Sequence, residues 1–280
     1  MPTRLLSSKN HMMHPSLESV EPRLTKKPRL TMEKARINLD DNEEKLRDFL
    51  VNVSNYVNEE KNPQDNLILR FAGGWVRDKL LGIPSNDIDV AINTMTGSSF
   101  TQNILKYIGD ENNLKRNDSD ELGIGRCYVT SANPEKSKHL ETSTMTIMGY
   151  DIDFVNLRKE TYSKESRNPQ MEFGSPEEDA LRRDCTINSL FYNIHTKEVE
   201  DFAGGLNDLK KKRIMTPLDP KTTFLDDPLR ILRLIRFANR FNFTLDPSCE
   251  SCMNNLEIID AFYRKISRER VQVEVYKMLR

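Results

Sequence analysis

Residues 71–89 read FAGGWVRDKLLGIPSNDID, and this run sets the pattern for the first half of the chain. The apolar segment Leu67–Phe71 predicts a short buried strand, and the pair Gly73-Gly74 predicts a tight turn after it. Trp75–Leu81 predicts a short helix, and alternation over Asp87–Ile92 predicts a second strand. The succession of strand, turn, helix and strand is typical of an α/β domain.

The rest of the pattern divides the chain into an α/β half and a helical half. Helices are predicted over Met32–Tyr56, Ser98–Ile108, Asp226–Phe241, Pro247–Asp260 and Ser267–Arg280, and strands over Arg126–Thr130, Thr142–Leu157 and Thr186–Ile194. The segment Thr142–Leu157 is long enough for one bent strand or for two strands. A polar loop is predicted over Asp110–Asp120, and from Thr222 onward the pattern is helical.

Composition excludes several classes of protein. The 280 residues carry 42 Lys and Arg against 43 Asp and Glu, so any cationic surface must be local. No apolar run approaches the length of a membrane-spanning helix. Four cysteines are too few and too unevenly spaced for a disulfide framework, which indicates a reducing compartment. Cys249 and Cys252 have CxxC spacing, but no second pair accompanies them, so free thiols are the better interpretation than zinc.

The first residues differ in composition from the rest and predict a disordered tail. Arg4 and Lys9, with no acid before Glu18, resemble a mitochondrial presequence, and Lys26–Arg29 resembles a nuclear signal. We therefore expect the protein in the cytoplasm, nucleus and mitochondrion. A solvated tail without any signal is the alternative.

Two acidic pairs are the strongest chemical feature. Asp87 and Asp89 project from one face of the predicted strand, with only Ile88 turned into the core. Adjacent like charges repel, and a divalent cation such as Mg²⁺, which prefers oxygen ligands, removes that cost. Asp151 and Asp153 repeat the pattern on a later strand. Two such strands side by side would supply the carboxylates of a two-metal nucleotidyl transfer site, although a lone pair also occurs as solvated strand-end acids.

The glycine turn between the first strand and helix is a candidate phosphate site. At Gly73 and Gly74 backbone N–H groups can approach phosphate oxygens without a Cβ in the way. Arg77, one turn into the helix, could contact a triphosphate through two N–H groups. No Gly-Lys-Ser/Thr follows, so the turn is not a P-loop, and taken alone such a turn is usually structural.

Together these segments resemble the nucleotidyltransferase superfamily, and specifically the class II tRNA nucleotidyltransferases that build the 3′-terminal CCA of tRNA. The resemblance covers residues 65–280 and rests on four further segments in family order: the ribose-recognising Leu181–Asn188, the connecting segment Asp201–Leu209, the amino-acid template Asp226–Arg230 and the helix-stabilising Ser267–Glu274.

The resemblance implies a fold, a reaction and partners. The fold is α/β, a polymerase-β-like nucleotidyltransferase head with a mixed sheet, followed by an all-helical neck. The implied domains are a disordered tail at 1–32, the head with its N-terminal helix at 33–215, and a nucleotide-templating neck at 216–280. The reaction is transfer of CMP and AMP from CTP and ATP to the tRNA 3′ end with Mg²⁺. No membrane and no obligate protein partner are implied.

The resemblance also assigns residues. Asp87, Asp89 and Asp153 are the catalytic carboxylates, the first two holding metal, and Asp153 fits the family strand better than Asp151. The nucleotide-binding residues are Gly73, Gly74, Arg77, Arg183, Asp184, Asp227, Arg230, Arg233 and Arg236, and the structural motif is Glu269, Arg270 and Glu274.

The template can also be derived from chemistry. On a helix over Asp226–Phe241, Asp227, Arg230 and Arg233 follow one face, with Arg236 one turn further. Cytosine and adenine present an amino group beside an unprotonated ring nitrogen, which a carboxylate and a guanidinium can recognise, whereas uracil and guanine leave such groups unpaired. We expect Arg233 and Arg236 to contact phosphates. A helix whose arginines merely pair with neighbouring acids is the alternative.

Two departures from the family pattern bear on function. Asp226 stands where most members have Glu, so we take Asp227 as the base reader. Members of the family also continue well beyond the position of Arg280 as helical body and tail domains, so we expect a truncated version of such an enzyme. Two other functions therefore remain: a poly(A) polymerase, which adds only AMP, and a catalytically idle fragment that binds nucleotide.

Overall fold

The computed structural model describes residues 35–59, 66–110, 122–125, 127–130, 142–161 and 170–279. The predicted tail at 1–32 lies outside the described residues, as does the predicted polar loop beyond Asp110. The residues that the structure does describe fall within one compact unit, which spans 34–280.

The elements follow one another from an N-terminal helix through a sheet to a helical end. The strands are β1 Leu69–Ala72, β2 Asp87–Ile92, β3 Cys127–Thr130, β4 Thr142–Ile147, β5 Tyr150–Asn156, β6 Arg158–Thr161, β7 Gln170–Phe173, β8 Leu190–Asn193, β9 Glu198–Asp201, β10 Arg213–Ile214 and β11 Thr244–Leu245. The helices are α1 Asp41–Asn58, α2 Gly74–Leu80, α3 Gly97–Gly109, α4 Pro176–Leu181, α5 Gly205–Lys210, α6 Pro220–Asp226, α7 Arg230–Phe241, α8 Pro247–Met253, α9 Leu256–Lys265 and α10 Arg268–Met278.

A seven-stranded mixed sheet forms the centre of the first half, as the sequence predicts. Its strand order is β3-β4-β5-β2-β1-β8-β9. The pair β2 and β5 is parallel, and the other neighbours are antiparallel. In the parallel pair Asp87 lies opposite Asp151 and Asp89 opposite Asp153. The register therefore brings the two acidic pairs of the sequence side by side.

Helix α1 begins later than its hydrophobic pattern predicts. The expected start was Met32, whereas the structure begins the helix at Asp41. Asp40 is the N-cap: its side chain accepts hydrogen bonds from the backbone of Asn42 and Glu43, and the Glu43 side chain accepts from the backbone of Asp40. This capping box satisfies N–H groups that would otherwise lack partners, which fixes the start of the helix.

Two segments predicted as long strands, Thr142–Leu157 and Thr186–Ile194, have different structures. Thr142–Leu157 is a hairpin of β4 and β5, and its turn places Met148 and Gly149 at φ 53° and 80°. The prediction of one strand over Thr186–Ile194 is wrong in its first part. Residues Thr186–Asn188 form a 3₁₀ turn, and only Leu190–Asn193 is strand.

The helical half has more breaks than predicted. The helix expected over Asp226–Phe241 begins only at Arg230, as α7, and Asp226 is the last residue of α6. The two helices are separate because Asp227 precedes Pro228 and adopts an extended conformation, φ −136° and ψ 98°. The helix expected over Pro247–Asp260 ends at Met253, and Asn255 caps the next one, α9.

Two hydrophobic clusters correspond to the two halves. One lies between the sheet and helices α1 to α3 and includes Phe71, Trp75, Phe100 and Phe154. The other is formed by the helical half together with the 3₁₀ turn, through Ile187, which is fully buried. No helix in the described part of the chain has the length and apolarity that crossing a membrane requires.

Candidate active site

A cavity of about 780 Å³ lies between one face of the sheet and the helical half. Its wall contains twelve of the predicted site residues: Gly74, Arg77, Asp89, Asp153, Arg183, Asp184, Asp227, Arg230, Arg233, Glu269, Arg270 and Glu274. Among the described residues, three predicted ones do not line it: Gly73, Asp87 and Arg236. The structure thus brings residues from both halves of the chain, between Gly74 and Glu274, to one concave surface.

Asp89 and Asp153 form the acidic part of the wall. Asp89 is partly buried in β2, and burial, followed by the charges of Asp153 and Asp87, raises its pKa to about 6, although the Arg183 guanidinium opposes this. Thr144 donates a hydrogen bond of 2.5 Å to Asp153. Asp89 therefore carries negative charge for which the protein supplies incomplete compensation.

The other acid of each pair lies outside the wall. Asp87 is exposed at the start of β2, and Asp151 is exposed opposite it and accepts a hydrogen bond of 2.9 Å from Thr146. Of the two candidates for a third carboxylate, Asp151 and Asp153, it is Asp153 that lies in the cavity beside Asp89.

The acidic face has the donor chemistry of a divalent-cation site. Among the described residues no group of three His, Cys, Asp or Glu side chains is arranged as a metal cluster. The paired strands nevertheless place carboxylates in register, and the raised pKa of Asp89 marks unmet negative charge. Carboxylate oxygens are the ligands that Mg²⁺ prefers, so Asp89 and its neighbours Asp87 and Asp153 fit such an ion.

Gly73 is required by backbone geometry. It has φ 69° and ψ −124°, a conformation that residues with a Cβ rarely adopt, and its N–H donates to the Leu190 carbonyl at 3.0 Å. A Cβ at this position would lie 2.7 Å from Nη1 of Arg183. The turn therefore allows the Arg183 guanidinium to lie directly against the start of α2.

Arg77 is held inside the protein and is not a free guanidinium. Its Nε donates to Asp78 at 2.8 Å, and its Nη1 donates to the side-chain oxygen of Asn188. The guanidinium carbon also lies 4.6 Å from the centre of the Phe241 ring. A buried guanidinium needs such partners. The expected two-point contact of Arg77 with a triphosphate would therefore have to share these bonds.

Arg183 is fixed beside the acidic wall. Its Nε and Nη2 donate to Asp179 at 3.0 and 2.9 Å, and its Nη1 donates to the Asn188 carbonyl at 3.2 Å. The guanidinium carbon lies 5.1 Å from the centre of the Phe191 ring. The side chain thus has one preferred position, from which its charge acts on Asp89.

Asp184 links the sheet half to the helical half. One carboxylate oxygen accepts from the Cys185 N–H at 2.8 Å and the Asn188 amide at 3.0 Å, and the other accepts from Nε of Arg233 at 2.6 Å. Burial alone would raise the pKa of Asp184, but Arg233 and the hydrogen bond from Asn188 together hold it well below its usual range. Asp184 is ionised and belongs to an ion pair on the wall.

The predicted Asp227–Arg230 pair on one helical face is wrong. Asp227 lies outside the helix, and its carboxylate accepts from Arg270 at 2.9 and 3.3 Å. Arg230 donates instead to the Arg182 carbonyl at 2.8 Å and to the Thr223 carbonyl at 3.4 Å. Both side chains still line the cavity, so they remain neighbours of a bound ligand rather than partners of each other.

The last helix also contacts Arg233 and Arg236 of α7. Glu274 accepts from Nε of Arg236 at 2.8 Å and lies 3.6 Å from Nη1 of Arg233. Arg236 is buried by this contact and by the Phe237 ring, 4.4 Å from its guanidinium carbon. The expectation that Arg236 contacts phosphate has no support in this arrangement, whereas Arg233 remains on the wall.

Sequence reasoning missed several residues of the wall. Arg158, Glu160 and Arg182 line it as an ion-paired group, in which Glu160 accepts from Arg158 at 2.7 Å and from Arg182 at 3.1 Å. Asn188 connects Arg77 with Asp184. Arg182 and Asn188 stand in a segment already singled out by pattern, but Glu160 had no signal of its own.

The chain is similar to known proteins in sequence and in structure. Residues 69–215 match the family described as the poly A polymerase head domain. The chain is 52% identical over 254 residues to nucleotidyltransferase lcsQ of Purpureocillium lilacinum, covering 90% of this chain and 43% of that protein. It is 54% identical over 219 residues to the mitochondrial CCA tRNA nucleotidyltransferase of Saccharomyces cerevisiae, covering 78% and 39%. A solved apo structure of a CCA-adding enzyme matches with TM-score 0.69 at 25% identity, covering 89% of this chain and 53% of that one.

These matches establish the fold and the family. The chain spans less than half of the length of either curated relative. The sheet with its helices is a polymerase-β-like nucleotidyltransferase head, and a helical region follows it, as predicted. Because the family match covers more than half of the residues, the chain belongs to the poly A polymerase head domain family.

Proposed function

We propose that the chain is the catalytic part of a CCA-adding tRNA nucleotidyltransferase, which transfers CMP and AMP from CTP and ATP to the 3′ end of tRNA and releases pyrophosphate. One observation carries the proposal: a single cavity is bordered by the acidic pair Asp89 and Asp153 on one side and by Asp227, Arg230 and Arg233 on the other. The relatives named as CCA tRNA nucleotidyltransferases support it, and each is longer than this chain.

The acidic side suits Mg²⁺ as cofactor. Asp87, Asp89 and Asp153 would hold the ion, since they share one face of two paired strands. The chemistry that such ions supply when bound is activation of the attacking 3′ hydroxyl and neutralisation of charge on the leaving pyrophosphate. The match to the nucleotidyltransferase family also supports a divalent cation as cofactor.

The basic side suits a nucleoside triphosphate. Arg183 and Arg233 are cations held in fixed positions by Asp179 and Asp184, so they can meet phosphate charge without further ordering. Asp227 offers carboxylate oxygens and Arg230 offers N–H groups to a base. A carboxylate oxygen can accept more than one hydrogen bond, so the contact of Asp227 with Arg270 leaves capacity for the amino group of cytosine or adenine.

Incorporation of labelled CMP and AMP into a tRNA lacking its CCA end tests the proposal. Asp89→Ala is expected to lower incorporation of both nucleotides by about a thousandfold, because a carboxylate at the metal site contributes several kcal/mol to the transition state. Glu198→Ala is the matched control, since Glu198 is an exposed acid on β9, at the far edge of the sheet and outside the wall. The circular dichroism spectrum should stay unchanged in both. Full activity of Asp89→Ala would contradict the site.

The same assay separates the two other functions. A poly(A) polymerase would incorporate AMP without CMP. An idle fragment would bind CTP without extending the tRNA, because placement of the substrate contributes a large part of the rate. The assay is run on residues 1–280 and on a protein extended to the length of the relatives. Activity in the longer protein alone would mean that residues 1–280 lack tRNA binding and not the catalytic site.

We also propose a mitochondrial location, since two similar relatives are named mitochondrial. A nuclear or cytoplasmic pool rests only on the sequence pattern at Lys26–Arg29. Cell fractionation of a fluorescent fusion, with and without residues 1–31, tests both. An unchanged distribution after removal of these residues would contradict a targeting role for them.

A further inference from the structure

A buried acid lies directly behind the cavity and has no part in the chemistry proposed above. Asp179 is in α4 and is 1% exposed. Asp179 is not one of the described residues that line the cavity. An acid in such a place is costly unless its charge is paired, so its partners indicate what it does.

The Asp179 carboxylate joins two consecutive arginines and a neighbouring strand. One oxygen accepts from Arg182, at 2.8 Å from Nε and 2.5 Å from Nη2, and from the backbone N–H of Arg158 at 3.2 Å. The other accepts from Arg183, at 3.0 Å from Nε and 2.9 Å from Nη2. Each guanidinium therefore contributes two N–H groups to one carboxylate oxygen.

The contact with Arg183 determines the position of a cation at the acidic wall. With Nε and Nη2 bound to Asp179, the remaining Nη1 points to the Asn188 carbonyl at 3.2 Å and lies against the Gly73 turn. Oδ2 of Asp89 faces the same turn, since a Cβ at Gly73 would lie 3.7 Å from it. Without Asp179, Arg183 would be free to pair with Asp89 instead.

The contact with Arg182 reaches the other side of the cavity. The Arg182 carbonyl accepts from Nη2 of Arg230 at 2.8 Å, and the Thr223 carbonyl accepts from its Nη1 at 3.4 Å. Because Asp179 holds the Arg182 side chain at Nε and Nη2, it also restrains the main chain that carries this carbonyl. Arg230 is thus placed through Arg182.

The backbone contact with Arg158 fixes this arrangement to the sheet. Arg158 begins β6, two residues after β5 ends, and β5 carries Asp153. Burial alone would raise the pKa of Asp179, but Arg183 and Arg182 together lower it, so the group stays ionised. One carboxylate therefore connects the acidic strand, the cation beside it and the cation on the opposite side.

We propose that Asp179 is a positioning residue for nucleotide binding, which holds Arg183 for the triphosphate and, through the Arg182 carbonyl, Arg230 for the base. This inference rests on the function proposed above. It also predicts an effect on two separate properties, affinity for any triphosphate and preference among bases, that a residue important only for stability would not change.

Calorimetric titration of residues 1–280 with CTP and with UTP in the presence of MgCl₂ tests the proposal. Asp179→Asn keeps the shape of the side chain but removes its charge. Loss of charge-assisted hydrogen bonds to both arginines should raise the Kd for CTP by about tenfold. The ratio of the Kd for UTP to the Kd for CTP should fall towards one.

Glu177→Gln is the matched control, because Glu177 lies in the same helix, loses the same charge and is exposed. It should bind CTP as the unaltered chain does. If Asp179→Asn is less stable but keeps both the CTP affinity and the UTP to CTP ratio, the acid is structural and the proposal is wrong. If the unaltered chain does not bind CTP, the proposed function itself is wrong.

A second variant covers the case in which Asp179→Asn does not unfold cooperatively. Asp179→Glu retains the charge and moves the carboxylate by one methylene, so it can neutralise the arginines without holding them in the same place. It should recover stability while CTP binding stays weakened several-fold. Full CTP affinity in this variant would overturn the positioning role.

Discussion

At the scale of single residues, the contact between Arg270 and Asp227 bears on the proposed selection of the base. Both oxygens of Asp227 accept from the two terminal nitrogens of Arg270, so this acid, which we propose reads the base, is oriented by the last helix. A planar guanidinium fixes the plane of a carboxylate in a way that an ammonium group does not. Arg270 is therefore expected to influence which base is accepted.

The first prediction concerns this contact. Arg270→Ala should lower the preference for CTP over UTP about tenfold, because an unoriented carboxylate no longer discriminates the base edge. Arg270→Lys should recover only part of it. Arg268→Ala, an exposed arginine of the same helix, serves as control. Relative incorporation of CMP and UMP measures the effect, and an unchanged ratio in Arg270→Ala would mean that Asp227 is oriented in another way.

A second prediction at this scale concerns acid stability. The pKa of Asp184 is lowered in the folded protein, where Arg233 and Asn188 outweigh the effect of burial. A lowered folded pKa contributes stability above the unfolded value, roughly 3.9, and that contribution is lost as the pH falls further towards the folded pKa.

Asp184→Asn should therefore lower the free energy of unfolding at pH 7 by about 2 kcal/mol, since Arg233 loses a charged partner. It should also flatten the decline in stability between about pH 4 and pH 2.5. Urea unfolding across this range measures both. Parallel declines in the two proteins would mean that Asp184 does not contribute to acid sensitivity.

At the scale of elements, close packing of a helix against a strand fixes the acidic side of the site. Gly97 begins α3, and a Cβ there would lie 2.0 Å from the carbonyl oxygen of Phe154 in β5. Phe154 is the residue after Asp153. The helix therefore approaches the strand only because a glycine stands at this position.

Gly97→Ala should lower the free energy of unfolding by about 2 kcal/mol through overpacking. Gly109→Ala, at the other end of the same helix, is the control, because no atom of the described residues lies within 4 Å of a Cβ there. Chemical denaturation of both variants provides the comparison. Equal stability of the two would mean that α3 can shift away from β5 at little cost.

The elements also show what a sequence pattern can and cannot predict. The alternation of polar and apolar residues predicted both ends of β2 correctly, because successive side chains of a strand point to opposite faces of the sheet. The sequence pattern did not predict the end of the helix at Asp227, because the apolar period continues past this residue. Pro228 was the available signal, since the residue before a proline rarely stays helical. The pairing of Asp227 with Arg270 could not be predicted, since it depends on where α10 packs and not on local spacing.

At the scale of the whole molecule, motif order predicted which residues share the cavity better than it predicted their contacts. Twelve predicted residues line one wall, because the fold was implied as a unit by its family resemblance. Arg236 was expected to reach phosphate but is buried against Glu274 and does not line the cavity, whereas Arg77 lines it while paired with Asp78. Burial decides such cases, and the sequence around an arginine does not report its burial.

The parallel pairing of β2 with β5 has a consequence for the order of folding. The two strands are neighbours in the sheet but distant along the chain, and α3, β3 and β4 lie between them. Closing such a loop costs chain entropy before any contact compensates for it, so this pairing depends on elements that form more locally, such as the β4–β5 hairpin. A chain in which the ladder is still open has its acidic residues on separate strands. Assembly of this acidic face is thereby coupled to completion of the sheet, and the nascent protein does not present it until then.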